Sequence, residues 1–188
     1  DLKLSIIIPT KDNLYLLQKC LYSIETCLPN FDLEIIIINN NSIEKKTLSF
    51  LNEFSNLSNK RIIRKCINFN ERFNFSKMNN KAIHQTTGNI LLFLNNDVEF
   101  ISEDWAYELS SNASRPGIGF VGPKLLFEDK TIQHAGVVLG IGGVAGHSHK
   151  YYDCNDFGYH NRLTLSQEYS ALTGACLAIS RENWQSLG

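Results

Sequence analysis

Several features that identify common classes of protein are missing from this chain of 188 residues. Its net charge is only −1, so no basic excess indicates nucleic acid as a partner. No apolar run approaches the ~20 residues that a membrane-spanning helix needs. The five cysteines are scattered and form no CxxC pair, which argues against a zinc site or a disulfide framework. We therefore expect a globular cytoplasmic protein whose cysteines are reduced and mostly buried.

The glycine-rich loops that bind phosphate in many nucleotide enzymes are also missing. A dinucleotide-binding fold needs GxGxxG after its first strand, because glycine lets the backbone approach the pyrophosphate. Here the apolar run at residues 4–8 is followed by Pro9-Thr10-Lys11-Asp12-Asn13, which contains no glycine. Walker and GxSxG motifs are absent too. The sequence therefore argues against dinucleotide enzymes, P-loop enzymes and serine hydrolases.

One sequence pattern occurs three times in the chain. Apolar runs at residues 4–8, 33–38 and 90–94 each lead directly into a cluster of Asn, Asp, Ser or Thr. Such runs are typical of strands buried in a parallel sheet, whose carboxyl ends meet at one edge. Asn and Asp are also ordinary turn formers, so any single cluster could be only a turn. Three of them predict one ligand crevice at this edge.

Strand-like and helix-like patterns alternate in the first half of the chain. Further patterns predict helices at residues 14–28, 44–57, 75–86, 104–113 and 181–187, and strands at 61–66, 119–127, 132–139 and 170–179. Asp12 or Asn13 can cap the first helix, and Ser42 the second. The order predicts an α/β fold with a Rossmann-like, mostly parallel sheet, helices on both faces and a smaller β-rich part. Residues 140–167 form a long irregular segment, which is typical of a functional or mobile loop.

Three stretches of the chain carry a resemblance to a known family: SIIIPTKDNLYLLQKCLYSI, EIIIINNNS and FNFSKMNNKAIHQTTGNILLFLNNDVEF. In this order they resemble the GT-A type, inverting family 2 glycosyltransferases. TIQHAGVVLGIGG, GHSH and YSALTGACLAISRENW resemble the subgroup that builds bacterial polysaccharides of the rhamnan or O-antigen type. The resemblance implies one GT-A domain over residues 1–188, with a nucleotide-sugar half at 1–100 and an acceptor half at 101–188.

Site residues follow from the resemblance position by position. Asp97 matches the metal-binding carboxylate of the DxD motif, and Mn²⁺ or Mg²⁺ is the implied cofactor. The other matching positions are implied to bind the donor nucleotide: Pro9, Thr10, Asp12, Asn39, Asn40, Asn79, Asn80, Asn95 and Asn96. Asn95 stands where the motif has its first Asp, and Asn39 and Asn40 stand where the family commonly has at least one Asp. An amide can both donate to and accept from the imide edge of uracil or thymine.

The implied activity is transfer of a hexosyl-type sugar, with inversion, from a UDP- or dTDP-sugar to a saccharide or lipid-linked saccharide in a cell-surface polysaccharide. No nucleic acid partner or transmembrane segment is expected, and the location is the cytoplasm or the inner face of the cell membrane. Two alternatives stay open. One is a nucleotidyltransferase, and the other is a nucleotide-sugar-binding module without turnover.

The catalytic base is not identified by the sequence. The resemblance places it beyond Gly188, so we expect these 188 residues to bind the donor but to transfer sugar slowly or not at all. Asp153, Asp156 and Glu168 are more typical of solvated surface acids. His134, His147 and His149 have no assigned role, and a metal or acceptor contact is conceivable. Tyr151, Tyr152, Phe157 and Tyr159 could stack on a sugar ring or pack the loop.

Overall fold

A computed structural model describes residues 2–141 and 143–187 of the chain. The chain divides into two compact units. Unit 1 consists of the described residues up to Val121 and those from Gly174 onward, and unit 2 is Gly122–Thr173.

Nine strands and five α-helices form the described structure. The strands are β1 (Lys3–Thr10), β2 (Asp32–Asn39), β3 (Ile62–Asn68), β4 (Ile90–Leu94), β5 (Leu125–Leu126), β6 (Ile132–His134), β7 (Val137–Leu139), β8 (Ala145–His147) and β9 (Cys176–Ser180). The helices are α1 (Leu14–Thr26), α2 (Lys45–Phe54), α3 (Phe75–Ile83), α4 (Trp105–Ala113) and α5 (Arg181–Leu187). None of these described helices is long and apolar enough to cross a membrane.

Unit 1 is built on a five-stranded sheet in the order β3-β2-β1-β4-β9. The first four strands are parallel and β9 pairs antiparallel with β4. The inner strands β1, β2 and β4 are mostly apolar on both faces, and Ile35, Ile36 and Ile37 of β2 are all fully buried. Such runs suit the inside of a parallel sheet, where both faces are covered. The prediction of an α/β fold with a mostly parallel sheet is confirmed.

The register of the sheet aligns the polar clusters at one edge. Thr10 of β1 pairs with Asn39 of β2, and Asn39 pairs with Asn68 of β3. On the other side of β1, Ile7 pairs with Phe93 of β4, two residues before Asn95. The carboxyl ends of four neighbouring strands therefore lie side by side.

The core below this edge is completed by α3. Met78 and Ala82 of α3 are fully buried in a cluster with Ile36, Ile38 and Phe93 of the sheet. Asn74 caps α3, because its side-chain Oδ1 accepts a hydrogen bond from the backbone N–H of Lys77 at 2.9 Å. The helix pattern at residues 75–86 thus predicted the element, which ends at Ile83.

A buried carboxylate lies nearer the amino-terminal ends of the strands. Glu34 of β2 is fully buried, and its Oε1 accepts from Lys65 Nζ at 2.8 Å. Its Oε2 accepts from Ser5 Oγ at 2.7 Å and from the backbone N–H of Thr87 at 2.8 Å. Burial alone would raise the pKa of Glu34, but these hydrogen bonds hold it below its ordinary value. The carboxylate therefore stays charged inside the sheet.

Both predicted helix caps are wrong. Asn13 is the N-cap residue of α1, but it has left-handed backbone angles and its side chain makes no capping hydrogen bond. Asp12 binds elsewhere, since its Oδ1 accepts from the backbone N–H groups of Ile43 and Glu44 just before α2. Ser42 does not cap α2, because its Oγ accepts from the backbone N–H of Asp12 at 2.9 Å. These groups join the loops after β1 and β2 to each other.

Unit 2 contains only short strands, and here the predicted strands were too long. Of the strand predicted at residues 119–127, only the two residues of β5 form a strand. Val121, which belongs to unit 1, forms a single β-bridge to Ala178 of the same unit. The pattern at 132–139 is divided into β6 and β7 at Gly136, whose φ of +96° interrupts a strand. The irregular segment at 140–167 holds β8, which pairs with β7.

The cysteines are free, but fewer are buried than expected. Cys20 and Cys176 are buried, whereas Cys27, Cys66 and Cys154 are only partly so. Burial raises the pKa of both buried thiols to about 12, so both are protonated at neutral pH.

Candidate functional site

The predicted clusters meet at the carboxyl edge of the sheet in unit 1. Asn96, after β4, donates from Nδ2 to Thr10 Oγ1 of β1 at 2.9 Å. The backbone carbonyl of Thr10 accepts from the backbone N–H of Asn40, after β2, at 2.8 Å. Hydrogen bonds thus connect residues from all three predicted strand ends.

Asn39 and Asn40 are buried, and most of their amide hydrogen-bonding capacity is used by the protein. Asn39 donates to Asn68 Oδ1 at 3.0 Å and accepts from the backbone N–H of Ser42 at 3.0 Å. Asn40 Nδ2 donates to the carbonyls of Phe69 and Glu71, each at 3.0 Å. Within the described residues nothing donates to Asn40 Oδ1, so this oxygen is the atom that can accept from a ligand.

The loop after β1 holds two further predicted residues. Pro9 is half-buried in β1 opposite Ile38 of β2. Asp12 is also half-buried, and its Oδ1 is occupied by the two backbone N–H groups before α2. The structure therefore gives Asp12 a loop-anchoring role, and only its second oxygen lacks a partner among the described residues.

Asp97 is exposed at the end of the β4 turn, whereas Asn95 and Asn96 are half-buried. The turn is held by the backbone N–H of Asn95, which donates to the carbonyl of Ala175 at 2.9 Å. Below it, the Cys20 thiol donates to the carbonyl of Asn95 at 3.8 Å. Burial raises the pKa of Cys20 to about 12, and the negative charge of Asp97 adds to this shift. The protonated thiol is a donor that supports the turn.

Among the residues that the structure describes, Asp97 does not belong to a complete metal site. Within the described residues no group of three or more His, Cys, Asp or Glu side chains is placed to hold a metal ion. Asp97 also makes no hydrogen bond to the described residues that would occupy its oxygens. The residues therefore fit a hard cation that takes its remaining oxygen ligands from a phosphate and water.

The two predicted asparagines of α3 differ sharply. Asn80 is exposed. Asn79 is 2% exposed, and its Oδ1 and Nδ2 have no hydrogen-bond partner among the described residues. A buried amide without partners costs free energy, because it loses its hydrogen bonds to water. Asn79 is therefore an unfavourable residue for stability at this position.

Replacing Asn79 with leucine should raise the free energy of unfolding. Leucine has the same number and branching of heavy atoms but no polar group to desolvate, so we expect a gain of about 1 to 3 kcal/mol. Urea denaturation of the two proteins measures it, with Asn80→Leu as the exposed control. An equal gain in both variants would contradict the explanation by burial, and a loss in Asn79→Leu would show that the amide has a partner in solution.

One contributor to the site was missed from the sequence. β3 extends two residues beyond the predicted 61–66 and ends in Asn68, which binds Asn39. The next residues, Phe69 and Glu71, supply the carbonyls that hold Asn40. The sequence Ile67-Asn68-Phe69-Asn70 repeats the pattern of an apolar strand ending in asparagine, so the signal was present.

The candidate acids of unit 2 are surface groups that stabilise turns or face solvent. Asp153 Oδ1 accepts from the backbone N–H of Asn155, and Asp156 Oδ1 accepts from that of Gly158. Glu168 is exposed. His149 shares a 2.6 Å hydrogen bond with Ser148 Oγ. None of these contacts identifies a catalytic base.

Comparison with known proteins links this architecture to sugar transfer. The model of the family described as “Glycosyl transferase family 2” matches residues 5–186. “Uncharacterized protein y4gI” of Sinorhizobium fredii is 44% identical over 98% of the chain, which covers 20% of that protein. “O-antigen biosynthesis protein RfbC” of Myxococcus xanthus is 38% identical over 99% of the chain, which covers 14% of that protein. The chain thus spans a fifth or less of the length of these curated relatives.

The fold is also similar to that of a solved glycosyltransferase. “Mannosyltransferase PcManGT from Pyrobaculum calidifontis in complex with GDP-Man and Mn2+” matches 98% of this chain with a TM-score of 0.68. The match covers 46% of the mannosyltransferase chain, with 17% sequence identity. At this identity the match shows that the fold is shared, and the predicted GT-A architecture is confirmed.

Proposed function

The chain belongs to glycosyl transferase family 2, and from this premise we propose that the carboxyl edge of its sheet binds the nucleotide-sugar donor of a glycosyltransferase. The observation that carries the proposal is the hydrogen-bonded contact between the predicted strand ends, from Asn96 through Thr10 to Asn40. The same edge is where open α/β sheets bind ligands.

The nucleotide-binding residues are proposed to be Pro9, Thr10, Asp12, Asn39, Asn40, Asn79, Asn80, Asn95 and Asn96. Within this set, Asn40 has the most specific role. Its free Oδ1 would accept the N3–H of uracil or thymine, because both hydrogens of Nδ2 are already donated to backbone carbonyls. Asn39 would hold the loop that carries Asn40. This supports a UDP- or dTDP-sugar as the donor.

Asp97 is proposed to hold Mn²⁺ or Mg²⁺ together with the donor diphosphate. A bound cation of this kind neutralises charge on the leaving nucleoside diphosphate. The single carboxylate of Asp97 is exposed and has no hydrogen-bond partner among the described residues. It therefore fits a cation whose other ligands include phosphate oxygens of the donor. The mannosyltransferase with the shared fold is described as a complex with Mn²⁺.

The acceptor is proposed to be a saccharide, or a lipid-linked saccharide, of a cell-surface polysaccharide. The relative described as an O-antigen biosynthesis protein supports this role. Transfer of a hexosyl-type sugar with inversion, at the cytoplasmic side of the membrane, completes the proposal. Inversion requires a base that accepts the proton of the acceptor hydroxyl.

The rival function is a nucleotide-sugar-binding module without turnover. It is favoured by one observation, the asparagines at positions 39 and 95 where acids are common in the family. Both functions predict donor binding, so turnover separates them. Release of nucleoside diphosphate from a UDP- or dTDP-sugar with a saccharide acceptor supports the transferase, and binding without release supports the module.

Base specificity tests the proposed donor site directly. In the presence of Mn²⁺ we expect UDP and dTDP to bind at least about tenfold more tightly than CDP, GDP or ADP, a difference of about 1.4 kcal/mol. CDP is the matched control, because cytosine has the size of uracil but presents a lone pair instead of N–H at N3. Calorimetry gives the five dissociation constants. Equal binding of UDP and CDP, or tighter binding of GDP, would exclude the proposed role of Asn40.

A further inference from the structure

Two histidines of unit 2 form a closely paired unit. His134 of β6 is 1% exposed, and its Nδ1 lies 2.9 Å from Nδ1 of His147 in β8. The ring planes are nearly perpendicular, at 81°. His147 is exposed, so one ring of the pair is buried and the other faces solvent.

The surroundings of His134 determine which of its nitrogens carries hydrogen. Its Nε2 accepts from the backbone N–H of Gly136 at 3.3 Å and from that of Thr173 at 3.5 Å. A nitrogen that accepts has a free lone pair, so the hydrogen of the neutral ring is on Nδ1. Burial, and then the charge of His147, lower the pKa of His134 to about 4. The ring is therefore neutral at physiological pH and donates from Nδ1 to His147.

The hydrogen bond donated by His134 Nδ1 also determines which nitrogen of His147 carries hydrogen. His147 accepts at Nδ1, so the hydrogen of its neutral ring is on Nε2. A nitrogen that carries hydrogen has no lone pair for a metal ion or for a proton from a substrate hydroxyl. His147 in this state is consequently neither a metal ligand nor a general base at Nε2. It is a hydrogen-bond donor with a fixed orientation.

The strand that carries His134 is joined to a segment of unit 2 with exposed aromatic side chains, because Ile132 of β6 exchanges backbone hydrogen bonds with Tyr151 and Tyr152. Four aromatic side chains are half or more exposed between residues 151 and 159: Tyr151, Tyr152, Phe157 and Tyr159. Tyr151 also lines an open cleft of about 600 Å³ with Phe127, Glu128 and Asp129. Sugars combine apolar C–H faces, which pack on aromatic rings, with hydroxyl oxygens, which accept hydrogen bonds and donate to carboxylates.

We propose that unit 2 carries a saccharide-binding surface in which His147 donates a hydrogen bond to a sugar oxygen and His134 is the positioning residue that fixes this donor. The proposal deepens the proposed function, on which it rests for the identification of the saccharide as the acceptor. His147 contacts the sugar, and His134 acts only through His147.

The proton positions are tested first, without any ligand. In the whole ¹⁵N-histidine-labelled chain at pH 7, we expect His134 to be the Nδ1–H tautomer. A ¹⁵N–¹⁵N coupling across the hydrogen bond should connect its Nδ1 to Nδ1 of His147. An Nε2–H tautomer at His134, or a charged His147 ring without the coupling, would overturn the proposal.

Binding is then tested with three probes, the methyl glycosides of rhamnose, glucose and N-acetylglucosamine at millimolar concentrations. We expect at least one to shift the His147 Nε2–H resonance. His147→Gln should retain most of the affinity, because its amide nitrogen replaces Nε2–H as a donor. His147→Leu should lose at least about tenfold, a cost of about 1.4 kcal/mol. His84→Leu, at an exposed histidine of unit 1 that lies outside the pair, should bind as the unchanged chain does.

The positioning role of His134 is separated from a packing role by two substitutions. His134→Asn keeps a donor toward His147 and should preserve sugar binding, whereas His134→Leu keeps the bulk without a donor and should weaken it. No response to any of the three glycosides, or equal losses in His147→Leu and His84→Leu, would overturn the proposal. UDP affinity is measured in every variant and should not change, so failure of the donor site would be recognised separately.

Discussion

Replacing Asp97 with asparagine should abolish metal-dependent binding of UDP while leaving the fold intact. Asp97 is exposed at the end of the β4 turn, and no group of three metal-ligating side chains exists within the described residues to replace it. Loss of the one charged ligand should reduce affinity in Mn²⁺ at least about 100-fold, or about 2.7 kcal/mol. Calorimetry with Mn²⁺ and with a chelator gives the metal-dependent part.

The matched control for this prediction is Asp32→Asn. Asp32 is exposed at the amino-terminal end of β2, at the opposite edge of the same sheet. It should bind UDP as the unchanged chain does, with the same gain from Mn²⁺. Unchanged metal-dependent affinity in Asp97→Asn would refute the proposed metal site. A thermal unfolding midpoint that falls only in Asp97→Asn would instead indicate a structural role for this side chain.

The largest expected effect on stability follows from Glu34. Glu34→Ala leaves Lys65 Nζ, Ser5 Oγ and the backbone N–H of Thr87 without their buried acceptor. Lys65 is 36% exposed and keeps the carbonyl of Gln85 as an acceptor, so the loss comes mainly from the two buried donors, at about 1 to 3 kcal/mol for each one left without a partner. Urea denaturation should show this loss, whereas Asp32→Ala on the exposed end of the same strand should change stability by less than about 0.5 kcal/mol. Similar losses in the two variants would contradict the assignment to buried hydrogen bonds.

The same carboxylate predicts a dependence of stability on pH. The pKa of Glu34 is lower in the folded chain than its ordinary value of 4.5. Its charged form therefore stabilises the fold above the unfolded pKa, and this contribution is lost as the pH falls through the folded pKa. The stability difference between the unchanged chain and Glu34→Gln should be full at pH 7 and should shrink below pH 4.5. A constant difference across this range would show that the charge of Glu34 does not contribute.

The sequence predicted those parts of the fold in which many consecutive residues follow one hydrophobic pattern. β4 and residues 35–38 of β2 are apolar on both faces, so the ends of these strands and the asparagines that follow were recognisable. Asp12 was different, because its partners Ile43 and Glu44 are more than thirty positions away in sequence. Local capping rules assign such a side chain to the nearest helix and cannot detect a contact between two loops.

The short strands of unit 2 were not predicted correctly, for another physical reason. β6 and β7 contain three residues each, which is too few to establish an alternating pattern. Their position depends on pairing with distant segments, such as the two backbone hydrogen bonds between Ile132 and residues Tyr151 and Tyr152. The His134–His147 contact depends on the same pairing, so the sequence did not indicate that these two histidines are in contact.

The hydrogen bonds of Asn40 determine which hydrogen-bonding groups of a ligand this residue can recognise. A free asparagine is ambiguous, because a half-turn about its last side-chain bond exchanges oxygen for nitrogen at nearly no cost. In this chain the half-turn would break both bonds from Nδ2 and place Oδ1 against the carbonyls of Phe69 and Glu71. The orientation of the Asn40 amide is therefore fixed before any ligand binds. An asparagine could in principle present either a donor or an acceptor to a ligand, but Asn40 presents only the acceptor Oδ1.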